Sequence, residues 1–246
     1  MIDTIYYLPI SLAINILLFI PAFWFQTDKL TDFSYSLTFI ILILLSLIMN
    51  GLNPLNIILS LLIIVWALRL GTFLVIRIWK SKKDKRFDGI RERFSSFIKF
   101  WLLQALAVWI ILIPTLFFMQ SPTEIFVPGL AIWLIGVLIE TIADYQKYQF
   151  SRKNPGKLYT DGLWKYSRHP NYFGEILCWI GIYLMVIPSL QISEIIVSLA
   201  SPLFIAVTLI FITGIPPIEE FAKKNWKEYE DYKKKTSMLI PWIPKK

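Results

Sequence analysis

Residues 33–49 read Phe33-Ser-Tyr-Ser-Leu-Thr-Phe-Ile-Ile-Leu-Ile-Leu-Leu-Ser-Leu-Ile-Met49, and after the short break Asn50-Gly-Leu-Asn53 a second apolar block runs from 54 to 79. Neither block leaves the wide polar face that a helix of a soluble protein turns to water. Their length is the roughly 17–25 residues an α-helix needs to cross about 30 Å of hydrocarbon. The same signal recurs at 5–25, 97–118, 125–147, 171–188 and 191–213. The expected fold is therefore all-α, a polytopic membrane bundle of seven helices forming one integral membrane domain over 1–246. Composition agrees: 56% hydrophobic residues, 17% charged residues and a mean hydropathy of +0.59 exclude an ordinary soluble domain.

Charge sets the orientation. The connections at Asn50–Asn53, Gln120–Glu124 and Ser189–Gln191 carry no lysine or arginine. The loop after the third helix holds Lys80, Lys82, Lys83, Lys85, Arg86, Arg91 and Arg93, and the loop after the fifth holds Arg152, Lys153, Lys157, Lys165 and Arg168. A third basic segment, including Lys223, Lys233 and Lys246, closes the chain. Basic loops stay cytoplasmic, and seven crossings put all three on one side, with the N-terminus outside. The net charge of +8 is then orientation charge and contact with anionic lipid, and no nucleic-acid partner is implied. Met1-Ile2-Asp3 offers neither a basic n-region nor a small-residue cleavage site, so the first block reads as a retained helix. One cysteine, Cys178, and one histidine, His169, exclude an intrachain disulfide and argue against zinc or haem, so no metal is expected. Dinucleotide-fold, P-loop, H-E-x-x-H and G-x-S-x-G motifs are absent.

An ionisable group in such a frame needs a partner or a purpose. Arg69 lies well inside the third block and reads as facing the bundle interior, whereas Arg77 can snorkel to the interface. Glu140, Asp144, Lys147 and Tyr148 share one face of the fifth helix. The densest polar segment is Gly162-Leu-Trp-Lys-Tyr-Ser-Arg168-His169-Pro170-Asn171-Tyr172-Phe-Gly174-Glu175. Pro170 suits a first helical turn, whose free N–H groups, with Arg168 and His169 beside them, could cradle a phosphate or carboxylate. Asn171 and Glu175 share a face, with Glu175 a turn deeper. Beyond Gly214-Ile-Pro-Pro217, the spacing of Ile218, Phe221, Ala222, Trp226, Tyr229 and Tyr232 predicts an amphipathic cytoplasmic helix that lies on the membrane or caps a site.

The run Trp164–Glu175, W-K-Y-S-R-H-P-N-Y-F-G-E, resembles the signature of the membrane steroid 5-alpha-reductase-like proteins, and within them the DUF1295 branch. Upstream, Glu140-Thr-Ile-Ala-Asp144-Tyr-Gln-Lys147-Tyr-Gln-Phe150 is similar to that branch's E-x-x-A-D-x-Q-K-x-x-F. Downstream, Gly214-Ile-Pro216 with Glu219, then Tyr229-x-x-Tyr232 and Ile240-Pro241-Trp242, is similar to its closing pattern. The resemblance extends, more loosely, back to Trp66-x-x-Arg69-Leu70-Gly71. It implies an NADPH-dependent reductase of a carbon–carbon double bond conjugated to a carbonyl, acting on a lipophilic, steroid-like or isoprenoid molecule, with no obligate protein partner. It places the cofactor in the part of the chain from about 140 to 246, at Asp144, Arg168, His169, Asn171, Glu175, Tyr229 and Tyr232.

One departure bears on the substrate. Steroid 5-alpha-reductases pair an early-helix glutamate with a tyrosine at the substrate ketone, whereas Phe33–Met49 contains no acid. Tyr172, a phenol at the membrane entrance, is the candidate proton donor. The isoprenylcysteine carboxyl and phospholipid methyltransferases, which bind S-adenosylmethionine, share R-H-P-x-Y-x-G and an acidic, tyrosine-bearing tail. Glu175 directly after Gly174, the A-D-x-Q-K stretch and the I-P-W ending favour the reductase branch. A non-enzymatic lipid-binding membrane protein is the third reading.

Overall fold

The computed structural model describes residues 2–80 and 89–245; Lys82, Lys83, Lys85, Arg86 and Lys246, counted above among the orienting charges, lie outside the described residues. Among the described residues, seven helical stretches are long and apolar enough to cross a membrane: Tyr7–Trp24, Lys29–Asn50, Pro54–Arg77, Phe94–Gln120, Val127–Lys153, Pro170–Ser189 and Ile192–Asn225. They match the seven blocks read from the sequence. The chain divides into two compact units, one of residues 1–125 and 186–201, the other of 126–185 and 202–246.

In the first unit, a single turn α1 (Ile2–Ile5) precedes α2 (Tyr7–Trp24), α3 (Lys29–Asn50), α4 (Pro54–Lys80) and α5 (Phe94–Gln120), and the short α8 (Ile192–Ser198) joins them. The break between α3 and α4 has a local cause. Gly51 takes a φ of 93°, which ends α3 at no steric cost. Asn53 Oδ1 accepts the Asn56 N–H at 2.9 Å, and Pro54 opens the next helix without a donor to satisfy. The interior combines aromatics (Phe19, Phe97 and Trp101, with ring centroids 5.6–6.2 Å apart) with a buried network of amides and hydroxyls. Gln104 Nε2 donates to Asn15 Oδ1 at 3.0 Å and to Ser34 Oγ at 2.6 Å, and Asn15 Nδ2 donates to Thr38 Oγ1 at 3.1 Å. In hydrocarbon such bonds tie helices together; here they join α2, α3 and α5. Arg69 is half-buried. Arg91, one of the basic residues of the loop after the third helix, is only 1% exposed and pairs with Asp28 at 2.8 Å.

The second unit contains α6 (Val127–Lys153), α7 (Pro170–Val186), most of α9 (Ala200–Val207), a π-helical turn Thr208–Ile212, α10 (Ile215–Asn225) and α11 (Tyr229–Lys235). The amphipathic tail forms two helices rather than one. Trp226 is extended, with φ −127° and ψ 116°, and its indole donates to the Gly156 carbonyl at 2.6 Å. Helices α6 and α7 run antiparallel in backbone contact through glycines seven residues apart on each. A Cβ built on Gly136 would stand 2.7 Å from the Cys178 nitrogen and the Gly174 oxygen, and one on Gly174 2.6 Å from the Glu140 nitrogen and the Gly136 oxygen. Gly129 and Gly181 make the same contact two turns away, at 2.7 Å from the Gly181 oxygen and 2.6 Å from the Trp133 nitrogen respectively. Phe126 N–H closes that end by donating to the Met185 carbonyl at 2.9 Å.

Because the obstructing atoms are backbone, a methyl group at these positions has to separate the helices. Gly136→Ala and Gly174→Ala are each expected to cost about 1–3 kcal/mol or more, the range for overpacked interiors. Thermal unfolding in detergent micelles measures this, and wild-type melting of both variants would contradict it.

Candidate functional site

Downstream of Gly136, the register of α6 on α7 brings acids of one helix against polar residues of the other. Glu140 and Asp144 are both buried, although adjacent acids on one face repel. Asn171 supplies a donor: its Nδ2 reaches Asp144 Oδ1 at 3.2 Å. The carboxamide is thereby oriented, and its oxygen, Oδ1, is buried with no hydrogen-bond partner among the described residues. Glu175 is buried one turn further into α7.

The segment before α7 folds back onto α6. Gly162 takes a φ of 60°, and the Leu163 N–H donates to Gln146 Oε1 at 3.0 Å. The Trp164 indole donates to the Ala143 carbonyl at 3.0 Å, while Lys147 Nζ lies 4.1 Å from the centre of its ring, a cation–π contact that neutralises neither group. The C-terminal strap is stitched along the same segment. Ser167 and Ser237 form a parallel bridge, Ser167 Oγ donates to the Leu239 carbonyl at 2.7 Å, and the Trp242 N–H donates to the Tyr166 carbonyl at 2.9 Å. The Tyr232 hydroxyl donates to the Trp164 carbonyl.

Arg168 and His169 converge on Glu219, from α10. Arg168 Nε and Nη2 each lie 2.8 Å from Glu219 Oε1, and His169 Nε2 lies 3.2 Å from the same oxygen. Lys233 Nζ stands 3.1 Å from Oε2. The remaining arginine nitrogen, Nη1, donates to the carbonyls of Lys233 (3.1 Å) and Thr236 (2.6 Å). The Arg168 guanidinium is thus engaged by protein on every nitrogen, and it anchors the strap. The His169 ring lies parallel to that of Tyr172, with centroids 5.7 Å apart and planes 7° apart.

Tyr229 and Tyr232 meet edge to face at 6.2 Å. Tyr229 is 4% exposed, and its hydroxyl has no hydrogen-bond partner among the described residues. It lines an open groove of about 460 Å³ with Glu219, Lys223, Lys233, Ile210, Ile215 and Met238. Burial pushes both phenols above their ordinary value, reinforced at Tyr229 by the charge of Glu219, so both are neutral hydrogen-bonding groups at physiological pH. Burial pushes the His169 imidazole down, against the opposing pull of Glu219 and with help from Lys147 and Arg168.

The structure therefore gathers the eight residues singled out from the sequence into the second unit: Asp144 with Asn171, Arg168 and His169 on Glu219 with Tyr172 against His169, Glu175 below them, and Tyr229 beside Tyr232. Sequence spacing did not identify Glu219 as a site residue, nor Lys233 or Trp164. Glu219 was visible only as a motif position, and nothing local tells that it meets Arg168 across 51 residues. Among the described residues, no group of three or more His, Cys, Asp or Glu side chains could hold a metal.

Residues 18–236 match the model of a family described as protein of unknown function (DUF1295). The chain belongs to the DUF1295 family. Over 122 residues it is also similar to 3-oxo-5-alpha-steroid 4-dehydrogenase 1 of Rattus norvegicus, at 29% identity. The proteins of that name from Macaca fascicularis and Bos taurus match at 30% identity. These alignments cover 48% of this chain and 41–42% of the relatives, so the match spans less than half the length of the curated proteins. No solved structure matches.

In this DUF1295 chain the depressed His169 value makes the folded state bind fewer protons than the unfolded one below the ordinary histidine value of 6.5. The corresponding stability is complete above about 6.5 and is lost as pH falls through the folded value. Melting temperature in detergent is expected to be flat from pH 8 to 6.5 and to fall below it, with a shallower fall in His169→Gln; an unchanged slope in that variant would contradict the assignment.

Proposed function

We propose that this DUF1295 protein is an NADPH-dependent membrane reductase of a carbon–carbon double bond conjugated to a carbonyl, acting on a steroid-like or isoprenoid lipid. The observation that carries the reading is the Asn171 carboxamide. Asp144 fixes its donor side, which leaves a buried acceptor oxygen with no partner among the described residues, suited to the amide N–H of a nicotinamide. The name of the relatives supports the reaction class. A 3-oxo-5-alpha-steroid 4-dehydrogenase desaturates a bond beside a ketone, and the reverse of that step reduces a conjugated enone. The residues present fit NADPH: Asn171 and Glu175 hold the nicotinamide end, Asp144 orients Asn171, Tyr229 and Tyr232 offer neutral phenols, and Arg168 and His169 form the wall joined to the strap.

When bound, NADPH supplies a hydride to the carbon β to the carbonyl. The remaining chemistry belongs to the chain. Tyr172 Oη holds the proton delivered to the α carbon, a donor that carries no charge into the apolar site. Stacking on His169 fixes the phenol ring. The buried side chains of Glu140, Asp144, Arg168 and His169 keep water from the reacting atoms. The basic loops and the strap face the cytoplasm on this reading, so the cofactor arrives from water and the substrate from lipid.

Purified protein in detergent, titrated separately with NADPH and S-adenosylmethionine, tests the reading. Saturable thermal stabilisation by NADPH is expected, about 2.7 kcal/mol at a hundredfold excess over Kd; stabilisation by S-adenosylmethionine alone would overturn it in favour of a methyltransferase. Asn171→Leu should weaken NADPH binding by about tenfold, the value of one buried hydrogen bond. Tyr172→Phe should abolish turnover with NADPH affinity retained, and a turning-over Tyr172→Phe enzyme would remove the proton-donor role.

A further inference from the structure

We infer that Glu219 is the positioning residue of this site: it fixes the tautomer and plane of His169, and through that ring the orientation of the Tyr172 phenol. The inference rests on the proposed reductase reading for its catalytic consequence, but its structural half stands independently.

The two carboxylate oxygens of Glu219 do different things. Oε2 takes Lys233, while Oε1 takes Arg168 twice and His169 once. If the carboxylate served only to hold the tail, the histidine contact would be superfluous, because the tail has fastenings that do not involve Glu219. Arg168 Nη1 and the Arg168 N–H bind the carbonyls of Lys233, Thr236 and Ser237, Ser167 Oγ binds Leu239, and the Trp242 N–H binds Tyr166. His169, by contrast, has one side-chain hydrogen-bond acceptor, Glu219.

A neutral imidazole that donates to a carboxylate must carry its proton on Nε2, which leaves the Nδ1 lone pair on the other side of the ring. The charged and titratable groups around it come from every adjoining element: Glu219 from α10, Lys147 from α6, Arg168 from its own segment and Tyr172 from α7, with Lys233 from α11 on the far oxygen of Glu219. Lys147 and Arg168 oppose protonation of His169, and Glu219 is the anion that favours it. The stacked geometry, 7° between ring planes, then transmits the orientation of one ring to the other, so a change at Glu219 reaches Tyr172 through the His169 ring.

His169 is the single histidine of the chain, so nitrogen NMR of histidine-labelled protein in detergent reads it directly. The wild type is expected in the Nε2–H tautomer. Glu219→Gln should move the titration midpoint to lower pH and mix the tautomers, with kcat reduced about tenfold or more, part of the roughly 10²–10⁴-fold that a positioned general acid contributes, and NADPH affinity within about threefold. An Nδ1–H wild type would overturn the inference even if the variant failed to fold, as would a Glu219→Gln protein with an unchanged tautomer and midpoint. A shifted tautomer with undiminished kcat would overturn the coupling to Tyr172. A shifted tautomer in a protein that does not bind NADPH would uphold the positioning of His169 and reject the reductase reading instead.

Discussion

Within the second unit, the approach of α6 to α7 at backbone distance controls the rest. Lipid tails are as apolar as leucine, so helices in a bilayer associate through close packing and hydrogen bonds rather than through the hydrophobic effect. Four glycines, at 129, 136, 174 and 181, provide that packing, and their seven-residue spacing fixes the register as well as the distance. Gly136 faces Gly174. Four residues on, Glu140 is pressed against Gly174, and eight residues on, Asp144 meets Asn171. The polar contact is therefore a consequence of an apolar one. Two acids a turn apart on a buried face are costly in isolation, and they are held here because the glycine register delivers an amide donor opposite the second.

A different constraint governs the tail. Arg168 and Lys233 would repel one another around an empty centre, and Glu219 occupies it while also holding the His169 imidazole. Desolvating such a cluster is favourable only when the hydrogen-bonding capacity of the ions is largely filled. Arg168 meets this condition with one carboxylate oxygen and two carbonyls. The same residue reads as an orientation charge in the sequence and is a fastening in the folded unit.

The helices were legible because crossing a bilayer is a matter of length and hydropathy, both local properties. All seven were found, and the strongest disagreement is at the tail. There the three- and four-residue spacing of Phe221, Trp226, Tyr229 and Tyr232 continues through the extended Trp226, so periodicity could not reveal the break made by the indole's bond to Gly156. Asp144 and Asn171 were legible as candidates, each on a polar face, but not as a pair. Their pairing depends on the glycine register, which the seven-residue spacing of Gly129, Gly136, Gly174 and Gly181 carries in the sequence. The pairings of Arg91 and Glu219 are illegible in the sequence for a common reason. Their partners Asp28 and Arg168 lie 63 and 51 residues away, beyond any helical spacing. The Asn15–Gln104 network was likewise hidden, since a single amide in an apolar helix does not name the helix that satisfies it.

Depth orders the polar groups. Neutral amides and hydroxyls can sit at mid-span when each finds a partner, as Asn15 and Gln104 do within the first unit, whereas full charges at that depth cost several kcal/mol more. In α6 of the second unit the charged residues run from its midpoint, Glu140, to its C-terminal end. Helix α6 has 27 residues and is about 40 Å long at 1.5 Å per residue, some 10 Å more than the hydrocarbon is thick. If the helix begins at the opposite boundary, Lys147 emerges near the headgroups, with Asp144 about one turn and Glu140 about two turns inside. Asn171 and Glu175 occupy the corresponding first turns of α7. On that placement, and on the reductase reading proposed above, the oriented carboxamide and the stacked His169–Tyr172 pair lie close to where hydrocarbon gives way to water. A polar, multiply charged cofactor cannot enter the bilayer and an apolar substrate gains nothing by leaving it. A site at this depth is where the two can meet with neither being moved far from the phase that dissolves it.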